Sequence, residues 1–234
     1  MSIVFKLPYL ELKKMLFNKV NIICIAFLLV LLYLVPPYHM EVDKTKGVMM
    51  SLIPMLMIIY FSHVLTNDFE NKTYKTIFTG GITRVQVLIS KYITLLAISI
   101  LLCFIYKIFL CIAQVIEIGS FNLDLKSSIP IFILYATSIG SFAMLIMSVT
   151  LNFKFTFMIT FVLFNDFVSN FINIIAKELK VGVIQRIVEN VPFKLATNGF
   201  QMQSYSTNEI YAILVSSIIF FSVASFIIAK RDLR

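Results

Sequence analysis

Six stretches of this chain are long and apolar enough to leave little choice of fold: 20–35 (extending to 38), 47–65, 92–116, 130–151, 155–176 and 210–229. Apolar runs of roughly 18 residues or more read as membrane helices, because only a helix satisfies its own backbone in hydrocarbon. Charged residues make up 14% of the chain, against about 25% in soluble domains. The sequence therefore predicts an all-α polytopic membrane protein with six transmembrane helices, in a single domain covering 1–234. No cleavable signal is evident, since the first run ends at Pro36-Pro37 instead of a small-residue cleavage site.

Charge orients the six spans. One side holds the segment before the first span, the 66–91 loop, a short 152–154 turn and the segment after the last span. It carries twelve Lys and Arg residues and four acids (Glu11, Asp68, Glu70 and Asp232), a net +8. The other side carries seven of each and nets zero. The positive-inside rule places the charged side, with both termini, in the cytoplasm of a multi-pass cell-membrane protein. These basic residues hug the span ends, so they read as orientation and anionic-lipid contact and not as nucleic-acid binding.

Within 1–19, Pro8 suits the first turn of a helix, and Tyr9, Leu12 and Leu16 share one face, with Glu11 elsewhere. An interfacial amphipathic helix is expected there. Pro54 should kink the second span. Pro130 should open the fourth, and Ala136 with Gly140 forms a small-xxx-small pair for close helix packing, within one protomer or between two. In the outer 177–209 segment, Val181, Ile184, Val188 and Val191 recur at helical spacing. Pro192 should end that amphipathic helix, with turns at Gly199 and from Gln201 to Asn208.

The 66–91 loop carries capping signals. Asn67 with Glu70 three residues on has capping-box spacing, Gly80-Gly81 can stop a helix, and Thr83 can cap a second one running into the third span. The loop is thus expected to present a short helix to the cytoplasm.

Chemistry-bearing motifs are sparse. No phosphate-binding loop of the G-x-x-x-x-G-K-[ST] type occurs, so ATP hydrolysis is not expected of this chain. His39 and His63 fall on opposite sides of the membrane in this topology and cannot share a metal. Cys24, Cys103 and Cys111 lie inside spans and read as small apolar residues. No catalytic set is expected, and no metal or cofactor in this chain.

Two charges interrupt the spans, Lys107 in the third and Asp166 in the fifth, the latter beside Asn165. Counting from the cytoplasmic ends at ~1.5 Å per residue, they lie at depths of ~23 Å and ~17 Å. A lysine stem can bridge that difference. Either they pair and lock two spans together, or Asp166 lines a transport path and meets substrate, or each is separately solvated or snorkels to an interface.

The order Glu70, Lys72-Thr73, a short apolar stretch, Gly81-Ile82-Thr83-Arg84 and Lys91 resembles the first cytoplasmic loop of type 2 permease subunits of ABC transporters. So does the whole plan: amphipathic N-terminal helix, six spans, long outer segment and terminal Lys230-Arg231-Asp232-Leu233. The resemblance implies an exporter permease whose coupling helix in the 66–91 loop docks on a separate ATPase subunit that uses ATP and Mg. Glu70, Tyr74 and Arg84 would face that subunit or brace the loop. It also implies a homodimer or a heterodimer with a second permease, and a pathway near Pro54, Asn165 and Asp166. The small size resembles exporters of amphipathic or hydrophobic peptides, bacteriocin-immunity systems among them. The alternative is a receptor or immunity protein that binds a peptide without transporting it. If Lys107 and Asp166 pair, Lys107→Asp and Asp166→Lys should each lower the monodisperse fraction in size-exclusion chromatography, and the double exchange should restore it.

Overall fold

The computed structural model describes residues 8–13, 42–71, 83–115, 124–165 and 190–231. The described elements are all helical. Residues 8–13 form a short helical piece, followed by α1 (Val42–Glu70), α2 (Arg84–Val115), α3 (Leu125–Thr150), α4 (Phe153–Phe164), α5 (Pro192–Met202) and α6 (Thr207–Lys230). Four of these helices (α1, α2, α3 and α6) are long and apolar enough to cross a membrane. The first apolar run and residues 166–176 of the fifth lie outside the described residues, as do 181–189 of the outer helix.

α3 is the hub, in contact with each of α1, α2, α4, α5 and α6. Small side chains make this possible. Ala136, Ser138, Gly140, Ser141 and Ala143 are all buried, so neighbouring backbones come close. A Cβ on Gly140 would lie 3.1 Å from Leu95 Cδ1 of α2 and 3.8 Å from the Phe61 ring of α1. The small-residue pair therefore packs within one chain. Hydroxyls in these helices bond back to carbonyls of their own helix, as Thr66 does to Ser62 (2.8 Å) and Thr94 to Ser90 (3.1 Å).

α5 closes the half of the bundle formed by the start of α3 and the end of α4. Its Phe200 stacks on Tyr135 of α3 with centroids 4.4 Å apart and meets Phe132 at 5.0 Å. Phe193 stands edge-on to Phe142 at 4.7 Å and to Phe164 of α4 at 5.2 Å. Such offset and edge contacts are the arrangements aromatic quadrupoles prefer.

Several boundaries differ from the sequence reading. Asn67 does not cap a new helix. α1 runs unbroken to Glu70, and the Asn67 carbonyl accepts from the Asn71 N–H at 3.1 Å. No Gly or Pro between 65 and 70 offers the helix a reason to stop. Residues 66–70 and 84–91 thus belong to α1 and α2, and 72–82 lie outside the described residues. Pro130 does not open α3. The helix starts five residues earlier, where the Asp124 carboxylate accepts from the Lys126 N–H at 3.0 Å. That N–H, and after it the Ser127 hydroxyl, hold the Asp124 carboxyl below the usual carboxylate range.

Pro192 begins a helix, while residues 181–189, whose helix it was expected to end, lie outside the described residues. It sits in the first turn of α5, where a missing N–H costs nothing. Gly199 and Gln201 are consequently helical, and the turn comes later, with Gln203 left-handed at φ 54°. Thr83 does cap α2 as expected, its hydroxyl accepting from the Gln86 N–H while Gln86 Oε1 accepts from the Thr83 N–H. Ser206 and Glu209 make a full capping box at the start of α6.

Gly199 is required by the Tyr205 ring, which returns over α5 to donate its hydroxyl to the Ala196 carbonyl at 2.7 Å. A Cβ at 199 would lie 2.2 Å from that ring. Gly199→Ala should destabilise the protein by about 1–3 kcal/mol, and Tyr205→Ala in the same chain should relieve the clash. Thermal unfolding in detergent micelles measures both.

Candidate functional site

The loop predicted to be functional joins α1 to α2, so the site is built from the ends of those helices. Lys91 lies two turns into α2, and its side chain is only 2% exposed. A lysine there must find compensation or lose its charge. Its Nζ lies 2.6 Å from Asp68 Oδ2 on α1, donates to the Val64 carbonyl at 2.7 Å and lies 3.2 Å from Glu11 Oε1. The second Glu11 oxygen accepts from the Thr94 hydroxyl at 3.0 Å. One lysine thus gathers three segments of the chain.

This alters the reading of the N-terminal helix. Glu11 points into the bundle beside Leu12, which packs on the core, while Tyr9 is 62% exposed. The apolar-face expectation put Tyr9 and Leu12 together and Glu11 away. The buried charge on Lys91 outweighs the burial of one tyrosine ring and turns the helix about its axis.

The loop's two anchors are also occupied. Glu70 Oε1 accepts from the Phe153 N–H at 2.9 Å, satisfying an orphan donor at the start of α4. Arg84 donates from Nη1 to the carbonyls of Ile228 (3.2 Å) and Ala229 (3.4 Å) and to that of Arg231, where α6 ends. Arg231 in turn donates to the Ser148 and Val149 carbonyls, at 2.6 and 2.8 Å, where α3 ends. A cation on helix C-terminal carbonyls meets both an orphan acceptor and the negative end of the macrodipole. The final turns of α1, α3 and α6 and the first turns of α2 and α4 therefore meet at one end of the bundle. Tyr74 lies outside the described residues.

Pro54 and Asn165, expected near a pathway, come together. They line a cleft of about 110 Å³ between α1, α4 and α5, along with Ser51, Ile58, Thr197 and Gln201. Thr197 donates to the Phe164 carbonyl at 3.3 Å across the back of this cleft. Asp166 lies outside the described residues. Lys107 is buried, its Nζ 5.7 Å from the Tyr106 ring centroid. Ala136 and Gly140 are packing residues in α3, away from this cleft's lining.

Among the described residues, no group of three or more His, Cys, Asp or Glu side chains could hold a metal ion. His63 is exposed and stands edge-on to Phe153, with centroids 6.2 Å apart. Cys103 is buried, Cys111 is exposed, and both are free thiols.

Sequence reasoning missed the bonding roles of Lys91, Glu11 and Arg231, which it used only for charge, periodicity and the family resemblance. A signal was present for two of them. Lys91 stands seven residues inside a helix that begins at Arg84, and Arg231 directly follows the last turn of α6. Removing the cation by Lys91→Met strands the Glu11 and Asp68 carboxylates and should cost about 3 kcal/mol or more. Adding Glu11→Gln should recover part of it. Unfolding in mixed micelles gives the stability, and hydrogen exchange at 8–13 should rise in the single variant.

A scan of protein-family models matches none of them to this chain, and a search of curated proteins finds none significantly similar.

Proposed function

We propose that this chain is the transmembrane permease subunit of an ATP-driven exporter, worked through its 72–82 loop by a separate ATP-hydrolysing subunit. The observation that carries the reading is the fastening of that loop. Glu70 on one side is bonded to the start of α4, and Arg84 on the other to the end of α6. Any displacement of the loop is therefore felt by four helices, α1 and α2 directly and α4 and α6 through these bonds. Lys91 adds the N-terminal helix to the same body.

In this reading the loop end faces the cytoplasm, in keeping with its net positive charge, and six spans complete the membrane domain. A short helix within the loop would seat on the ATPase, where ATP and Mg bind, with Tyr74 as a contact. The chain pairs with a second copy or a sister permease. Among the described residues, the groups lining the cleft at Pro54 and Asn165 carry no charge, which suits an amphipathic or hydrophobic peptide.

The test is purification of the full chain from its native membrane. A protein with ATPase activity should accompany it, and the pair in vesicles should accumulate peptide only with ATP. Tyr74→Ala should lower that transport about tenfold, on the scale of an interface hot spot, without changing the yield of folded permease. If no ATPase accompanies the chain and vesicles still bind peptide without accumulating it, the non-transporting receptor or immunity protein is the correct reading.

A further inference from the structure

At the end of the bundle where α1, α3 and α6 finish, each acid among the described residues has a partner within the chain. Glu11 and Asp68 are held by Lys91, and Glu70 by the Phe153 N–H. Arg84 and Arg231 are spent on helix carbonyls. Among the described residues, the exposed cations at that end are three lysines, Lys13, Lys154 and Lys230. Each has an exposed aromatic ring within one helical turn. Tyr9 precedes Lys13 by four residues and is 62% exposed, Phe155 follows Lys154 at 59%, and Phe226 precedes Lys230 by four at 60%. The Lys230 Nζ lies 4.3 Å from the Phe226 ring centroid.

The end is thus electropositive because its acids are consumed, beyond what a count of charges says. An aromatic ring beside a lysine at the end of an apolar helix suits the boundary between acyl chains and headgroups. The ring sits at the apolar margin while the ammonium reaches toward phosphate. A second copy of this chain would have to bring acids to these lysines, and the described acids at this end already have partners within the chain. An anionic surface fits the charge. We propose that the Tyr9–Lys13, Phe155–Lys154 and Phe226–Lys230 pairs are docking points for anionic phospholipid headgroups, holding this end of the bundle in the leaflet richer in them. The proposal rests on the membrane reading above.

The chain contains no tryptophan, so Tyr9→Trp, Phe155→Trp and Phe226→Trp each give a single-probe protein. Tyr211→Trp gives a control near the opposite end of α6, two residues from Glu209. Each full-length variant is reconstituted in mixed phosphatidylcholine and phosphatidylglycerol vesicles, with one lipid or the other brominated to quench the probe. Quenching at 9, 155 and 226 should report a preference for phosphatidylglycerol of about fivefold, the size expected for one basic residue at a surface. The preference should fall to about 1 when the neighbouring lysine becomes glutamine, persist when it becomes arginine, and be absent at 211. No preference at the three sites, or one that survives the glutamine changes, overturns the proposal. No quenching by either lipid overturns the membrane reading along with it.

Discussion

A single ammonium group organises the loop-bearing end of this molecule. Lys91 is buried, and a buried cation without partners would cost more than the fold can spare. Its partners come from two other segments of the chain, Glu11 on the N-terminal helix and Asp68 with the Val64 carbonyl on α1, while the lysine itself is on α2. Because each bond has a narrow range of length, the three segments have one relative position that satisfies all of them. Apolar packing alone would let α1 and α2 slide or rotate at small cost, since one leucine resembles another and lipid resembles both.

Around that group, the helices complete one another's ends. The orphan donors of α4 and the orphan carbonyls of α3 and α6 are met by Glu70, Arg231 and Arg84, none of which belongs to the helix that it completes. The opposite half of the bundle is held differently. There the contacts are aromatic, with Tyr135, Phe142, Phe164, Phe193 and Phe200 interleaved under α5. One half is joined by directional bonds to main chain, the other by faces and edges of rings.

Much of the helical framework was legible in the sequence, since runs of apolar residues and the cap at Thr83 carry local signals. The four long helices fall on four of the six runs. What was not legible came from partners distant in sequence. Asn67 and Glu70 have the spacing of a capping box, but a capping box presupposes a break before it, and the helix through Leu65 simply continues. Pro192 and Pro130 each admit two positions near a helix start, and only the neighbouring cap decides between them. Glu11 could be placed outward by periodicity alone, and it turned inward because of a lysine eighty residues away. At the candidate site, the approach of Pro54 to Asn165 was expected only through the family resemblance, and the engagement of Glu70 and Arg84 with α4 and α6 has no counterpart in local pattern.

The arginine contacts have a consequence for how this chain can vary. Arg84 and Arg231 reach main-chain carbonyls at Ser148, Val149, Ile228 and Ala229, so the side chains at those four positions contribute nothing to the bond. Val149 and Ala229 are exposed and free to drift with their surroundings, whereas Ser148 and Ile228 are held by core packing. The joints between helices at this end thus fix the two arginines and place no demand of their own on the side chains whose carbonyls they reach.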